Sequence, residues 1–392
     1  MNFNSFIIHY AEVALKRGNR PFFEKTLVKN IKQATQGCGP IEIDRRWGRI
    51  LMMVTEKTDI EGVIAALKTV FGIAYFAPGR IVDQDIDRIS EAALESIEGQ
   101  SFSSFKIQTR RANKAFPMDS VQINIHVGNQ VWDRTKAKVD LTNPEFTVHI
   151  EIFDDVALVY GKRYEGQGGL PVGVSSRAVL LLSSGIDSPV AGFRMMKRGV
   201  RLFFVHFHSA PYTSTASKKN AEKLVEILTR YQFNSTLYTV PFLEIQQHIT
   251  SVVPGPYRVI MYRRAMLALA EKIARKNRCD ALVTGENVGQ VASQTLPNIQ
   301  AISDPISLPI FRPLCSFDKK EIIAEARVIG TFETSIEPYE DCCTLFVPEN
   351  PETKAKLHIV HEYEAKLELE KYMQQALEGA ETINFKFENR NQ

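Results

Sequence analysis

The chain is poor in cysteine. Its 392 residues include five, an odd number and sparse for this length, which argues against a disulfide scaffold and for a reducing cytoplasm. No apolar run approaches the ~18 residues a membrane span needs, so no membrane partner is expected. The opening MNFNSFIIHYAEVALK lacks a basic start, a long apolar region and a small-residue cleavage site, and no signal peptide is read there. Internal repeats and low-complexity tracts are absent. Net charge is also small, at +3, which excludes a globally basic nucleic-acid binder. What charge there is lies unevenly. Residues 166–340 carry 20 basic against 14 acidic side chains and residues 341–392 carry 6 against 10, while residues 1–165 nearly balance at 22 against 21. A nucleic-acid partner would be held by local patches.

The hydrophobic pattern divides the chain. Residues 6–10 predict a strand, and a helix opened by Asn19 follows with Phe23, Leu27, Ile31 and Ala34 on one face. IEIDRRWGRILMMV predicts a hairpin around Trp47-Gly48, then come a helix at about 60–69 and a strand near 73–76. This βαββαβ order suggests a ferredoxin-like unit over residues 1–76, with Pro78-Gly79 as its boundary. A second unit, 77–165, holds the helix DIDRISEAALESIE, the strand FKIQTRR, a helix capped by Ser120 and a hairpin turning at Asp154-Asp155. The glycine-rich EGQGGLPVG reads as a linker or docking loop. From 178 onward strand and helix alternate, which means a parallel sheet covered by helices. Asp318 with Glu321 reads as a capping box, and about 350–378 as a charged helix.

Two familiar phosphate motifs are missing: no GxxxxGK[ST] occurs, and no GxGxxG follows a strand. The segment VLLLSSGIDSPVAGF offers a third kind. Val179 to Leu182 read as a buried strand, and Ser188-Pro189 as a helix N-cap and first position. The loop between them is close to SGGxDS, the pyrophosphate loop of enzymes that split ATP to AMP and pyrophosphate. Ser183, Gly185, Ser188 and the loop N–H groups can cradle a pyrophosphate. Asp187 can hold the bridging Mg²⁺. The plainer alternative is a tight strand–helix turn. Where that loop pattern has glycine this chain has Ser184, whose Cβ is expected to crowd the backbone against phosphate.

Further along, HFHS places His206 and Phe207 at a strand end, where they would flank an adenine or simply pack. Of Arg263 and Arg264, one could reach a phosphate, or both could form a solvated face. TGENVGQVASQT follows a strand without a large apolar side chain, so Gly285, Glu286 and Gln294 point to a site. Lys319 could neutralise phosphate charge or be a plain helix-start lysine. No CxxC exists, and adjacent Cys342-Cys343 cannot make a zinc site alone. They read as a sulfur-carrying thiolate or as two ordinary thiols. Cys38, Cys279 and Cys315 read as structural. In the N-terminal half, Arg110, Arg111 and Lys114 with Phe116, and Arg134, Lys136 and Lys138, suit RNA backbone contacts or are scattered surface charge.

SSGIDSPVAGF, TGENVGQVASQT, FRPLCSFDKKEI and YEDCCTLFVPENPETK together resemble the tRNA 4-thiouridine synthetase (ThiI) family, as do HYAEVALKRGNRPFFEKTL, FKIQTRRANKAFPMDS and VDLTNPEFTVHIEI over the N-terminal half. The resemblance implies an α/β protein in three parts: a ferredoxin-like domain at 1–76, a THUMP RNA-binding domain at 77–165 and a parallel-sheet ATP-pyrophosphatase domain at 166–392. It implies a cytoplasmic tRNA sulfurtransferase that adenylates uridine 8 with ATP and Mg²⁺ and replaces O4 by sulfur from a persulfide on Cys343. The family's ATP contacts fall on Leu181 and Leu182 (through backbone), His206, Phe207, Arg263, Gly285 and Gln294. Some members carry a C-terminal rhodanese domain, for which this chain leaves no room. A cysteine desulfurase is then expected to deliver sulfur directly, with Cys342 resolving the product disulfide, and sulfur donation to thiamine thiazole synthesis becomes the weaker expectation. A homodimer is left open. His9 and Ala11 stand where the family usually shows Arg and Gly. The rival readings are an RNA-binding paralogue with a decayed ATP site and another ATP-pyrophosphatase ligase. A THUMP methyltransferase does not suit the SSGIDS segment.

Overall fold

The computed structural model describes residues 3–46, 48–212, 216–338 and 350–388. The chain forms two compact units, the first running to Leu170 and the second from Pro171 to Glu388.

The first unit is built on one sheet. Its strands are β1 (Ser5–His9), β2 (Ile41–Arg46), β3 (Arg49–Val54), β4 (Tyr75–Val82), β5 (Ser104–Arg111), β6 (Lys138–Val139), β7 (Phe146–Ile152), β8 (Ala157–Tyr160) and β9 (Tyr164–Glu165). Their order is β2-β3-β1-β4-β8-β7-β5-β6, with β9 also on β4. The ferredoxin-like and THUMP parts therefore share a sheet. Pro78 and Gly79, read from sequence as a boundary, lie inside β4 opposite Phe6 and Ser5. Glycine is needed there for packing: a Cβ on Gly79 would stand 2.7 Å from the Val159 carbonyl oxygen of the neighbouring strand.

Local chemistry sets the helices. Leu27, Ile31 and Ala34 form the buried stripe of the helix Arg20–Ala34. The helix Ser120–Thr135 is capped by Asp119 rather than by Ser120. The Asp119 carboxylate accepts from the Val121 and Gln122 N–H groups at 2.8 Å, and the Gln122 side chain closes the box. Together with the helix Ile86–Ile97 it covers one face of β5, β7 and β8, burying Phe105, Ile107, Val148 and Ile150. The glycine-rich loop after β9 docks on this unit. Gly166 and Gly168 donate to Ala74 and Ile73, and a Cβ on Gly166 would fall 2.3 Å from the Ile73 oxygen.

The second unit holds β10 (Arg177–Leu181), β11 (Arg201–His208), β12 (Asn234–Pro241), β13 (Ala281–Val283), β14 (Ile310–Phe311) and β15 (Glu381–Lys386). The order is β14-β13-β10-β11-β12-β15, parallel except for β15, which pairs antiparallel with β12. The strands β10, β11 and β12 step outward on one side. The chain then returns to lay β13 on the other side of β10. That reversal opens a crevice at the carboxyl ends of β10 and β13, where ligands of such sheets bind. The helix Arg258–Lys276 buries its apolar face against the sheet, with Met261, Leu269 and Ala270 at the centre. The charged segment near the C-terminus forms two helices, Leu357–Leu367 and Glu370–Glu378, with Glu368 left-handed between them, and then β15. Among the described residues no helix is long and apolar enough to cross a membrane.

Candidate active site

A cavity of about 260 Å³ occupies the crevice beyond β10 and β13. Its floor is Leu181, Leu182, Val205 and Phe207, one wall is Met266 and Leu267, and polar groups ring the mouth. The sequence reading had missed Met266 and Leu267. They lie three and four residues beyond Arg263 on one helix, the spacing that puts side chains on a common face.

The loop after β10 is tied internally. The Ser183 N–H donates to the Ser188 hydroxyl at 3.0 Å, which returns to the Ser183 carbonyl at 3.1 Å and stands 3.1 Å from the Ser183 hydroxyl. Gly185 N–H donates to the Ser183 hydroxyl at 3.3 Å. The helix begins at Asp187, after an Ile186 cap that makes no side-chain bond. Ser188 is thus a loop tie and not the N-cap read from sequence, because its hydroxyl has a closer use in bracing the turn.

Ser184 corrects a second expectation. Its side chain is buried, with its hydroxyl donating to the Ser217 carbonyl at 2.9 Å and standing 3.0 Å from the Ser217 hydroxyl. The Cβ points into the protein, so the crowding expected of it does not arise from this side chain.

Asp187, at the mouth, accepts from Lys319 at 2.5 Å and from Gln290 at 3.0 Å. Lys319 stands at the first position of the helix Lys319–Ile329, whose Asp318–Glu321 capping box forms as read. Gly285 packs against the loop: a Cβ there would sit 2.7 Å from the Ser188 nitrogen and 2.8 Å from its Cα. Its closeness serves the loop backbone.

Arg263 and Arg264 separate. Arg263 faces the cavity, bonding Ser293 at 3.1 Å and Glu286 at 2.9 Å. Arg264 is buried and structural, reaching Glu364, Asp304 and the Ala301 carbonyl. Glu286 is 2% exposed and lies between Arg263 and Arg312, with the Arg312 Nε at 2.6 Å and the Thr284 hydroxyl at 2.9 Å. Burial pushes its carboxyl up, but the two guanidiniums and these hydrogen bonds outweigh that and hold its pKa below the ordinary value. It therefore stays a carboxylate that aims Arg263.

On the nucleoside side, His206 is buried, with Nδ1 2.9 Å from the Leu182 carbonyl and Nε2 3.2 Å from the Ser217 hydroxyl. Leu182 N–H donates to the Val205 carbonyl and its own carbonyl accepts from the His206 side chain, so both Leu182 backbone groups are already engaged within the protein. Phe207 packs edge-on to Phe242, with centroids 5.4 Å apart. Gln294 is 8% exposed and lines the cavity, and its side-chain oxygen is buried without a hydrogen-bond partner among the described residues. A buried amide left unsatisfied costs about 1–3 kcal/mol; a bound base edge would supply the bond. An apolar slot with one amide, Arg263 held beside Ser293 and Glu286, and the Asp187–Lys319 pair at the loop can take a purine nucleotide with its phosphates toward the loop.

The chain is similar to known proteins over nearly its whole length. The family described as thiamine biosynthesis protein (ThiI) matches residues 173–369, the ThiI ferredoxin-like domain residues 5–77, and the THUMP domain residues 83–161. The chain is 46% identical over 368 residues to a probable tRNA sulfurtransferase of Thermoanaerobacter sp. (strain X514), covering 94% of this chain and 96% of that one. It is 43% identical over 376 residues to a probable tRNA sulfurtransferase of Thermus thermophilus, covering 96% and 92%. The chain belongs to the ThiI family. The crystal structure of a 4-thiouridine synthetase–RNA complex with bound ATP superposes with a TM-score of 0.91 at 35% identity, over 98% of this chain and 100% of that one.

The ThiI thiols Cys342 and Cys343 lie outside the described residues. Among the described ones, Cys38 and Cys279 are buried and Cys315 is exposed, and none of the three is in a disulfide. Burial pushes the Cys279 thiol up to about 11. The basic residues of the THUMP part do not act alike. Arg110 and Lys114 are exposed. Arg111 staples its loop, donating to Phe116 and Met118 carbonyls at 3.2 and 2.9 Å, and Phe116 is in the core. The expected partnership of these bases with an exposed aromatic is therefore not formed at Phe116: its ring is spent on packing. Lys136 caps the helix Ser120–Thr135 in a left-handed conformation, pairs with Asp133 at 3.1 Å and sits 4.2 Å over the Trp132 ring. Lys138 is exposed on β6.

Proposed function

We propose that this ThiI-family chain is an ATP-dependent tRNA sulfurtransferase that makes 4-thiouridine at uridine 8. The observation that carries the reading is the Gln294 side-chain oxygen, buried and without a hydrogen-bond partner among the described residues, in an apolar slot that Arg263 and Asp187 also line, with Lys319 bonded to Asp187. A relative spanning the same fold is an ATP-bound 4-thiouridine synthetase in complex with RNA. ATP is a substrate here: its adenine takes the slot floored by Leu181 and Phe207, and its phosphates reach the loop 183–188.

Among the described residues no three His, Cys, Asp or Glu side chains stand together as a metal site. Mg²⁺ would therefore be held by Asp187 together with substrate phosphates, the usual arrangement for an ion that dehydrates reluctantly; it supplies charge neutralisation of the leaving pyrophosphate. Lys319 and Arg263 add fixed positive charge at the same place. Uridine O4 attacks the α-phosphorus and pyrophosphate leaves. The terminal sulfur of a Cys343 persulfide attacks C4, and AMP departs with the original oxygen. The Cys342 thiolate then attacks the Cys343 sulfur, leaving sulfur on C4 and a Cys342–Cys343 disulfide, which a thiol reductant returns to the dithiol. A cysteine desulfurase reloads Cys343. The exposed Arg110, Lys114, Lys136 and Lys138 contribute to the tRNA backbone contacts, a homodimer is compatible with them, and the setting is the cytoplasm. Thiazole sulfur donation is secondary.

The decayed-site alternative is weakened by Ser184, which turns away from the loop's ligand side, and by the intact Asp187–Lys319 pair. The test is tRNA-dependent pyrophosphate release from Mg-ATP. It is expected in the wild type and in Cys343→Ser, and to fall at least 100-fold in Asp187→Ala. Pyrophosphate release that needs no tRNA would point to another ligase.

A further inference from the structure

The Ser184–Ser217 contact links the two ends of the nucleotide cavity. Four buried groups form a closed chain of hydrogen bonds: the Leu182 carbonyl, His206, Ser217 and Ser184. Two covalent steps join Ser184 back to Leu182. Donor chemistry gives the chain a direction. A carbonyl only accepts, so His206 carries its proton on Nδ1 toward Leu182. In the neutral ring Nε2 then accepts from the Ser217 hydroxyl, and the single Ser184 proton is shared, as a three-centre bond, between the Ser217 hydroxyl oxygen and the Ser217 backbone carbonyl. Ser184 is 1% exposed, His206 2% and Ser217 3%, so water does not compete. The Ser217 backbone carbonyl, 2.9 Å from the same Ser184 hydroxyl, holds the loop from the other side.

Ser217 belongs to the helix Ala216–Gln232, which contributes nothing to the cavity lining. Its hydroxyl nevertheless touches both the residue after β11's Val205, on the adenine side, and the second residue of the phosphate loop. We infer that Ser217 is a positioning residue for ATP, and that Ser184 and Ser217 work as one unit that fixes the spacing between the adenine slot and the phosphate loop. The inference rests on the nucleotide reading of the cavity. It gives Ser184 a purpose in place of glycine: the hydroxyl trades the loop's conformational freedom for a fixed anchor.

The test uses the full-length chain with tRNA and Mg-ATP, and follows ATP affinity by equilibrium dialysis alongside steady-state pyrophosphate release. Ser217→Ala and Ser184→Ala are each expected to raise the Kd and KM for ATP about fivefold, the worth of one ordinary buried hydrogen bond of about 1 kcal/mol, with kcat within twofold and KM for tRNA unchanged. The double variant is expected to fall short of the product of the two single losses, since both single variants remove the same Ser184–Ser217 hydroxyl contact. Nitrogen NMR of His206 supplies a readout that general loosening would not move: the Nδ1–H form is expected in the wild type, with exchange between both forms in Ser217→Ala. A drop in kcat at unchanged KM for ATP, fully multiplicative losses in the double variant, or an unaltered His206 tautomer would each overturn the inference. Failure of the wild type itself to bind ATP would instead remove the nucleotide reading on which it stands.

Discussion

Gly285→Ala is the smallest change that should disable the site. The added Cβ would lie 2.7 Å from the Ser188 nitrogen, 2.8 Å from the Ser188 Cα and 2.9 Å from the Asp187 carbonyl carbon. Carbon contacts are comfortable only at about 3.5–4.0 Å, so roughly 1 Å must be found. All three neighbours are backbone at the start of the helix Asp187–Lys197, and that backbone is braced by the Ser183–Ser188 ties. No flexible side-chain end can yield. Overpacking of this kind costs about 1–3 kcal/mol, or about 2–12 °C in Tm for a unit of this size. The larger effect is functional, since displacing a phosphate cradle by about 1 Å can cost 10²-fold in rate. The assay is tRNA-dependent pyrophosphate release beside a thermal melt, with Gly18→Ala as control, where an added Cβ meets nothing within 4 Å. Wild-type release by Gly285→Ala would refute the claim that this glycine sets the loop.

The two adjacent arginines should divide by function. Arg263→Ala is expected to weaken ATP binding at least tenfold with little loss of stability, whereas Arg264→Met should lower stability by about 1–3 kcal/mol through the lost bonds to Glu364 and to the Ala301 carbonyl while leaving KM for ATP nearly unchanged; melts and kinetics on both variants check this. A pH effect belongs to the first unit. Burial, then the charges of Arg49 and Arg163, lowers the pKa of His9 to about 3. His149 is likewise lowered to about 3 by burial and Arg163. Both are neutral bases in the folded protein and take up protons on unfolding, so stability is full above about pH 6.5 and is lost as pH falls toward 3. Each is expected to cost about 1.4 kcal/mol per pH unit well below 6.5, and His149→Gln should halve the slope of Tm against pH between 6 and 4.5. An unchanged slope would contradict this.

Much of the site could be read because its chemistry is contiguous in sequence. The run Val179–Leu182 must be buried, and a polar turn with one acid and a helix start leaves little choice but a loop at a sheet's carboxyl end. The polar segment 284–295 was equally legible because nothing in it can pack a core. What escaped depends on distance along the chain. β15 shows only alternating half-buried residues, and it becomes a strand because β12 offers it an edge. Arg312 is unremarkable in sequence until the fold sets it beside Glu286. Ser120 sits one residue and Ser188 two residues past the cap positions Asp119 and Ile186, and only the observed bonds show that Ser188 ties the loop and that Asp119 does the capping. Phe116 lies among basic residues like a stacking platform, yet its ring is core.

The most direct test of the whole account is reconstitution. The protein is mixed with unmodified tRNA, Mg-ATP, a cysteine desulfurase and cysteine, and the digested tRNA is analysed by mass spectrometry. The account predicts 4-thiouridine at position 8, lost in both Asp187→Ala and Cys343→Ser. Tight tRNA and ATP binding with no 4-thiouridine, or product that survives Cys343→Ser, would contradict it.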